Sequence, residues 1–198
     1  MARYPIEHKG ETRERILEAA DRVFKEVGIE GASVDAIMRE AGLTVGGFYG
    51  HFESKRELAR EAVCSGLERS MERLLTPLES MADDKAWLKA LIRGYLQQID
   101  GAALGTACPL TLMLPEIARG GTEFQRAFGE KTRAILDRIT PRFPEMGGRS
   151  RRETAVFVFA SCAGAISLAR AIGAPRARER VIAATEAMLS QLLELDRA

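Results

Sequence analysis

The sequence is poor in the residues on which metal binding, disulfide frameworks and acid–base catalysis depend. Its 198 residues include three cysteines and two histidines. The cysteines (Cys64, Cys108 and Cys162) are odd in number, and none belongs to a C-x-x-C or a Cys/His cluster. This argues against a disulfide framework and a structural zinc site. We therefore expect a protein of the reducing cytoplasm, with no metal and no cofactor.

Long apolar runs and an excess of basic charge are also missing. No stretch holds the roughly 18 uncharged apolar residues of a membrane span, and the first residues lack the apolar region of a secretion signal, so we expect no membrane partner. The net charge is +1, and residues 1–62 contain ten Lys and Arg against twelve Asp and Glu. The strongly basic composition of many DNA-binding proteins is absent. Composition alone therefore gives no indication of nucleic-acid binding.

Strand-like alternation is absent too, and apolar residues recur at helical spacing instead. This pattern predicts an all-α protein. A break of small residues is expected at 101–106, and Pro115 is expected to kink or split the helix that Pro109 begins. About nine helices are predicted. Eight lie over residues 12–27, 34–41, 44–51, 54–77, 84–99, 122–139, 150–172 and 176–195, and the helix that Pro109 begins lies between the fifth and sixth of these.

Residues 33–52, SVDAIMREAGLTVGGFYGHF, have the plan of a helix-turn-helix. Ser33 is suited to cap the first short helix, and Gly42 can adopt the left-handed conformation that a sharp turn requires. Thr44 then opens a second short helix. Ser54 caps the long helix that follows, and Glu57 completes a capping box. A helix-turn-helix places its second helix in the major groove of DNA.

The same region resembles the TetR family of transcriptional regulators. The resemblance covers about residues 10–62 and rests on the apolar stripe of the first helix and on Ala41-Gly42-Leu43-Thr44, Phe48-Tyr49, His51-Phe52 and Ser54-Lys55. It implies an N-terminal helix-turn-helix DNA-binding domain (1–53) and a C-terminal ligand-binding and dimerisation domain (54–198). It also implies a repressor, not an enzyme, which binds a palindromic operator and is released by a small, largely apolar effector.

The resemblance also assigns DNA-contacting roles. Thr44, Tyr49, His51 and Lys55 are expected at the sugar-phosphate backbone, and residues 45–47 at the bases. Valine at position 45 cannot donate a hydrogen bond, although it can contact a thymine methyl group. Glycines carry no sequence code and weaken a helix, so we expect phosphate and shape readout and a recognition helix that is fully ordered only on DNA. The predicted DNA-binding residues are Ser33, Thr44, Val45, Gly46, Gly47, Tyr49, His51 and Lys55.

The C-terminal helices carry candidates for an effector pocket, because the TetR resemblance implies that these helices enclose one. In most proteins such residues are ordinary core, which is the alternative. Residues 108–118, which Pro115 interrupts, are the best candidate for a pocket wall that moves. The predicted ligand-binding residues are Trp87, Tyr95, Cys108, Met113, Phe124, Phe128 and Phe159.

Two further hypotheses concern Cys108 and the last two helices. Cys108 precedes Pro109 at a helix start, where a thiol pKa is lowered, so the same fold could act as a redox or electrophile sensor. The alternative is a small buried apolar residue. The helices at about 150–172 and 176–195 are rich in small and apolar residues, and the resemblance implies that they pair with their copies in a homodimer. Packing within one chain is the alternative.

Two rival functions remain. An enzyme lacks support, because the sequence shows no paired carboxylates on a shared face, no phosphate-binding glycine loop and no nucleophile with a partnered base. A helical interaction module that has lost DNA binding is supported by Val45 and by the acidic balance of residues 1–62.

Overall fold

The computed structural model describes residues 6–99 and 107–195, with side chains from residue 9 onward. These residues form nine α-helices and short 3₁₀ turns, and within the same ranges no strand forms beyond one isolated bridge between Met146 and Arg149. The all-α prediction is confirmed. The predicted break at 101–106 lies outside the described residues.

The helices follow the predicted order. A 3₁₀ helix, Val45–Gly50, lies between the second and third α-helices and is called the recognition segment below. The α-helices are α1 (Ile6–Gly31), α2 (Val34–Glu40), α3 (Lys55–Leu75), α4 (Asp84–Leu96), α5 (Pro109–Leu112), α6 (Leu114–Arg119), α7 (Thr122–Ile139), α8 (Arg151–Ala171) and α9 (Pro175–Leu192).

Serine caps fix where α2 and α3 begin. The Ser33 hydroxyl accepts a hydrogen bond from the Ala36 amide at 3.1 Å, and the Ser54 hydroxyl accepts one from the Glu57 amide at 3.1 Å. Each cap satisfies an amide that a helix start leaves unpaired. In the predicted capping box, the Glu57 carboxylate would accept a hydrogen bond from the Ser54 amide. It accepts one from the Glu53 amide instead, at 2.6 Å.

The structure changes the predicted start of the first helix and confirms the predicted split near Pro115. Helix α1 begins six residues before the expected start at Thr12, and Gly28, with φ 77° and ψ 164°, kinks it before a last turn to Gly31. The predicted split near Pro115 is confirmed, because α5 and α6 are separate helices. Pro115 lies in the first turn of α6, where its missing N–H leaves no bond unmade.

A buried ion pair lies where α1 packs on α3. The Lys25 ammonium contacts the Asp21 carboxylate at 2.7 Å, and the two side chains are 1% and 9% exposed. Burial raises the pKa of Asp21 and lowers the pKa of Lys25. The carboxylate lies directly over Gly66 of α3, where a Cβ atom would come within 2.3 Å of Asp21 Oδ1. Only a glycine allows the two helices to enclose this pair at their present distance.

Helix α8 is apolar enough to resemble a membrane span by length and composition, with a mean hydropathy of 1.6 over its best window. That window is 44% buried inside the protein. Its apolar residues, among them Val158, Ile166 and Ala169, belong to the core. Packing within the protein therefore accounts for much of the hydropathy of α8.

Candidate nucleic-acid interface

Two buried phenylalanines hold the recognition segment on the first two helices. Phe48 and Phe52 are 0% and 2% exposed, and their rings stack with centroids 5.9 Å apart. The Arg13 guanidinium of α1 covers the Phe52 ring at 4.5 Å from its centroid. Both rings belong to the protein core. They make the segment a rigid platform rather than a loose loop.

The recognition segment is a 3₁₀ helix, so the expected α-helix is wrong in type. Three of its six residues are glycines, and each glycine costs about 1 kcal/mol in an α-helix relative to alanine. Thr44 occupies the capping position, but its side chain makes no capping hydrogen bond. Its hydroxyl is therefore left for another partner.

Five of the predicted DNA-binding residues form one exposed surface along this segment. Thr44, Gly46 and Gly47 are exposed, Val45 is 43% exposed and Tyr49 is 75% exposed. The Tyr49 ring packs edge-on against the Phe48 ring, with centroids 5.1 Å apart. This contact supports the ring of Tyr49 while its hydroxyl reaches outward. This surface offers two hydroxyl groups and a close backbone approach, and it carries no charge of its own.

His51 lies half-buried behind this surface. Its Nδ1 atom is buried and has no hydrogen-bond partner among the described residues. Burial, together with the positive charges of Lys9 and Arg13, lowers the pKa of its imidazole. Both effects favour the neutral imidazole, and in that form His51 offers a phosphate a hydrogen bond rather than a charge.

Lys55 has a structural role that the sequence did not indicate. Its ammonium donates to the backbone oxygens of Ala32 at 3.1 Å and Glu30 at 3.4 Å. These oxygens belong to the end of α1, where carbonyls lack helical partners. The phosphate contact predicted for Lys55 stays a prediction. In the free protein the Lys55 ammonium joins α3 to the end of α1.

Ser33 is exposed, and its hydroxyl accepts a hydrogen bond from the Ala36 amide as the cap of α2.

The sequence of this region matches a known family. The family model described as "Bacterial regulatory proteins, tetR family" matches residues 16–62. Over 87 residues the chain is 37% identical to the HTH-type transcriptional regulator SrpR of Pseudomonas putida, covering 44% of this chain and 39% of that protein. Residues 16–62, the part of the chain that the family model covers, are therefore a TetR-family region. The matched stretches span less than two thirds of the curated relatives' own length.

Solved structures with the same fold cover more than nine tenths of the chain. A TetR transcriptional regulator from Chloroflexus aurantiacus superposes with a TM-score of 0.74 at 22% identity, covering 95% of this chain and 98% of that one. FadR from Bacillus subtilis, in complex with stearoyl-CoA, gives a TM-score of 0.68 at 20% identity, covering 91% and 97%. At these identities the likeness establishes the fold, including the C-terminal helices.

Hydrogen bonds join the two parts of this TetR fold. The Glu116 carboxylate of α6 accepts from the Ile29 amide in the last turn of α1, at 3.1 and 3.2 Å to its two oxygens. Arg56 of α3 donates to the Gly120 backbone oxygen at 2.6 Å. The kink favours glycine because φ at Gly28 is +77°, and a Cβ atom there would also lie 2.8 Å from Glu116 Oε1. We call these contacts the α1–α6 latch.

The candidate ligand-binding residues are dispersed through the core. Tyr95 and Phe159, with ring centroids 6.0 Å apart, line an apolar cavity of about 20 Å³ together with Cys162. A cavity of that size holds about one water molecule. Trp87 instead packs against Phe143, and Phe124 lines a surface pocket beside the latch. Cys108, Met113 and Phe128 are buried in the core.

Burial defines the chemistry of the cysteines. Cys108 is 0% exposed, and the Tyr95 hydroxyl donates to its sulfur at 3.8 Å. Burial raises the pKa of the Cys108 thiol, so the lowering expected from a helix start is wrong; α5 has only four residues and the thiol is enclosed. Burial also raises the pKa of Cys64 to about 11 and that of Cys162 to about 12. The described residues hold no cluster of three or more metal-ligating side chains.

We expect all three cysteines to resist iodoacetamide in the native protein at pH 8. The reactive species is the thiolate, which raised pKa values and burial both suppress. Mass spectrometry after brief labelling should find no modified cysteine, and labelling in guanidinium should modify all three. Native modification of Cys108 would support the sensor hypothesis and contradict this expectation.

Proposed function

We propose that this chain is a cytoplasmic, homodimeric transcriptional repressor whose two recognition segments bind the half-sites of a palindromic DNA operator. The observation that carries the proposal is the exposed surface of Thr44, Val45 and Tyr49 on the buried platform of Phe48 and Phe52. A helix-turn-helix presents its second helix to the major groove in this way. The curated relatives, named as HTH-type transcriptional regulators, support the same assignment.

The proposed readout relies on phosphates and DNA shape. Thr44 and Tyr49 carry the hydroxyl donors, and Gly46 and Gly47 let the backbone approach the duplex closely. Val45 contributes an apolar contact that suits a thymine methyl group. The exposed segment holds no amide or basic side chain of the kind that makes bidentate contacts to bases. Few direct base hydrogen bonds are therefore expected.

The proposed dimer uses an apolar face that α8 and α9 leave outward. Although the two helices pack on each other, Phe157, Leu168, Met188 and Leu192 remain 45% to 55% exposed. Gly164 and Ala165 lie between these larger residues in the same shallow groove and allow a second helix to come close. An exposed apolar patch of this kind marks an interaction surface, and a second copy of the chain supplies a matching face.

The proposed effector is small and largely apolar, and it acts by opening the cavity beside Tyr95 and Phe159. The cavity wall is almost entirely apolar, and its present volume excludes a ligand, so binding requires the surrounding helices to separate. FadR, which shares the fold, is complexed with stearoyl-CoA, a molecule with a long apolar chain. Tyr95 also contacts Cys108, the residue that precedes α5, so displacement of Tyr95 would shift α5 and α6. That shift would break the α1–α6 latch and favour a DNA-incompetent arrangement of the two recognition segments.

Fluorescence anisotropy with 40-base-pair duplexes from the DNA flanking the gene tests this function. One palindromic duplex should bind in preference to unrelated DNA. Tyr49→Ala should weaken its binding by about 10- to 100-fold, because each subunit of the dimer loses a charge-assisted phosphate bond. Thr76→Ala, at the far end of α3, is the matched control and should bind normally. Apolar compounds that raise the melting temperature should also release the duplex.

The proposal would be abandoned if no flanking duplex competed better than random DNA at 50 mM KCl. Equal binding by the wild-type protein and Tyr49→Ala would remove the recognition segment from the interface.

A further inference from the structure

Four arginines crowd the turn between α8 and α9. Residues 170–180 contain Arg170, Arg176, Arg178 and Arg180 against a single acid, Glu179. We call these four residues the arginine corner. Arg176 and Arg180 are exposed on the first turns of α9, and Arg178 is half-buried. This is a strong concentration of one charge in a chain whose net charge is +1.

Three of the four arginines in the corner have no partner among the described residues. Arg176, Arg178 and Arg180 form no hydrogen bond or ion pair with any described residue. The Arg170 guanidinium donates to the Gln98 backbone oxygen at 2.9 Å, while its Nε is buried without a partner. Burial and the charge of Arg178 lower the pKa of Arg170. Elsewhere in the described C-terminal region, some arginines pair with carboxylates and others do not. Arg93, Arg138, Arg142 and Arg152 are paired, whereas the exposed Arg119, Arg126 and Arg133 are not. What distinguishes the corner is that its arginines are close together in the chain.

The corner lies at the DNA-binding end of the C-terminal helices. Helix α3 starts beside the recognition segment and runs about 30 Å away from it. At its far end Glu72 pairs with Arg138 of α7, and α8 begins next to the end of α7, where Arg151 donates to the Pro141 backbone oxygen. Helix α8 then runs back. Its last residues therefore lie at the same end as the start of α3.

The proposed dimer would bring two such corners to one end of its interface. The arginine corner directly precedes the turns of α9 that carry the outward apolar face, from Val181 to Leu192. Both recognition segments must point toward the same duplex, so the two α8–α9 turns point the same way and lie beside the two-fold axis. Eight arginines would then share this end. Their mutual repulsion favours a polyanion between them.

We propose that the arginine corner is a second DNA-binding surface, which contacts the phosphates of the operator between the two half-sites. This inference rests on the proposed function and adds to it. The helix-turn-helix region has more acidic than basic residues, with twelve against ten over residues 1–62, and its exposed segment carries no cation. The corner supplies the positive charge that a DNA-binding protein needs for affinity.

The test compares Arg176→Gln/Arg180→Gln with a matched control, Arg133→Gln/Arg149→Gln. The control removes the same charge from exposed positions on α7 and before α8, away from the corner. The probe is the palindromic duplex preferred by the wild-type dimer, and anisotropy titrations run from 50 to 300 mM KCl. A second probe has methylphosphonate linkages, which are uncharged, at its four central base pairs.

The slope of log K against log[KCl] is negative, and its magnitude should be smaller by about 2 to 4 in the corner variant. Each lost phosphate contact reduces that magnitude by about 0.9, and the dimer loses four arginines. The control should keep the wild-type slope, and so should Arg176→Lys/Arg180→Lys, which retains the charge. The methylphosphonate probe should bind the wild-type dimer about tenfold more weakly than the natural duplex. The corner variant should bind both probes equally.

An unchanged slope in the corner variant would overturn the inference while leaving the proposed function intact. Loss of binding in the lysine variant as well would also overturn it, because the arginines would then act through structure and not charge. If the wild-type protein bound no duplex preferentially, the proposed function itself would fail.

Discussion

Replacing Gly66 with alanine is expected to destabilise the protein by about 2–4 kcal/mol, although alanine is the better helix former by about 1 kcal/mol. The new Cβ atom would lie 2.3 Å from Oδ1, 2.6 Å from Cγ and 2.7 Å from Oδ2 of Asp21. The whole carboxylate would have to move, and Lys25 would lose its buried counter-ion. Breaking a buried pair on one side leaves an uncompensated charge, which is costly.

Gly129→Ala is the matched control for this prediction. Gly129 also lies inside a long helix, α7, but it is exposed and nothing lies within 4 Å of the position a Cβ atom would take. The same substitution should therefore stabilise the protein by about 0.5–1 kcal/mol. Urea unfolding followed by circular dichroism, at one fixed protein concentration, measures both variants. If the two substitutions changed stability in the same direction, the close packing of Asp21 on Gly66 would be refuted.

A charge on the outward face of α9 is expected to abolish both dimerisation and operator binding. Met188 is 54% exposed in the single chain and lines the groove of the proposed interface. In Met188→Glu, association would bury two unpaired carboxylates, which is strongly unfavourable. Light scattering at 10 μM should find a monomer, and affinity for the palindromic duplex should fall by more than about 100-fold, because one half-site contact is lost.

Ala187→Glu provides the control on the neighbouring position. Ala187 is exposed but does not line the apolar groove, so a glutamate there stays in water. This variant should remain dimeric and bind the duplex normally. A dimeric Met188→Glu protein would show that the face between α8 and α9 is not the interface and would leave packing within one chain as the explanation for its apolar residues.

Local chemistry explains which parts of the fold the sequence could predict. Ser33, Ser54 and Ser150 each mark a helix start, because a serine hydroxyl pairs with an amide only three residues along the chain. Gly42 has the positive φ of 67° that the turn requires. The apolar stripe of the first helix likewise places Ile16 and Phe24 in the core. Each of these signals depends on neighbours within one or two helical turns.

Features that depend on distant residues were not predictable in the same way. The Lys55 ammonium donates to backbone oxygens more than twenty residues earlier in the chain, at the end of α1. The Glu116 carboxylate accepts from the Ile29 amide, which is 87 residues away in the sequence. Asp21 and Lys25 lie one helical turn apart, and this spacing indicates an ion pair. It does not indicate that the pair is buried against Gly66 of another helix. The pKa of Cys108 follows from enclosure by other helices rather than from its position before Pro109.

The hydrogen bond between the Glu116 carboxylate and the Ile29 amide joins distant parts of the chain, and this has a thermodynamic corollary. A molecule that separates Glu116 from Ile29 loses binding free energy to every interaction that holds α1 in place. A bound DNA duplex is one such interaction. By reciprocity, occupancy of the operator would weaken affinity for the effector by the same factor by which the effector weakens affinity for the operator. The concentration at which the switch responds would then be set partly by the number of operator copies in the cell.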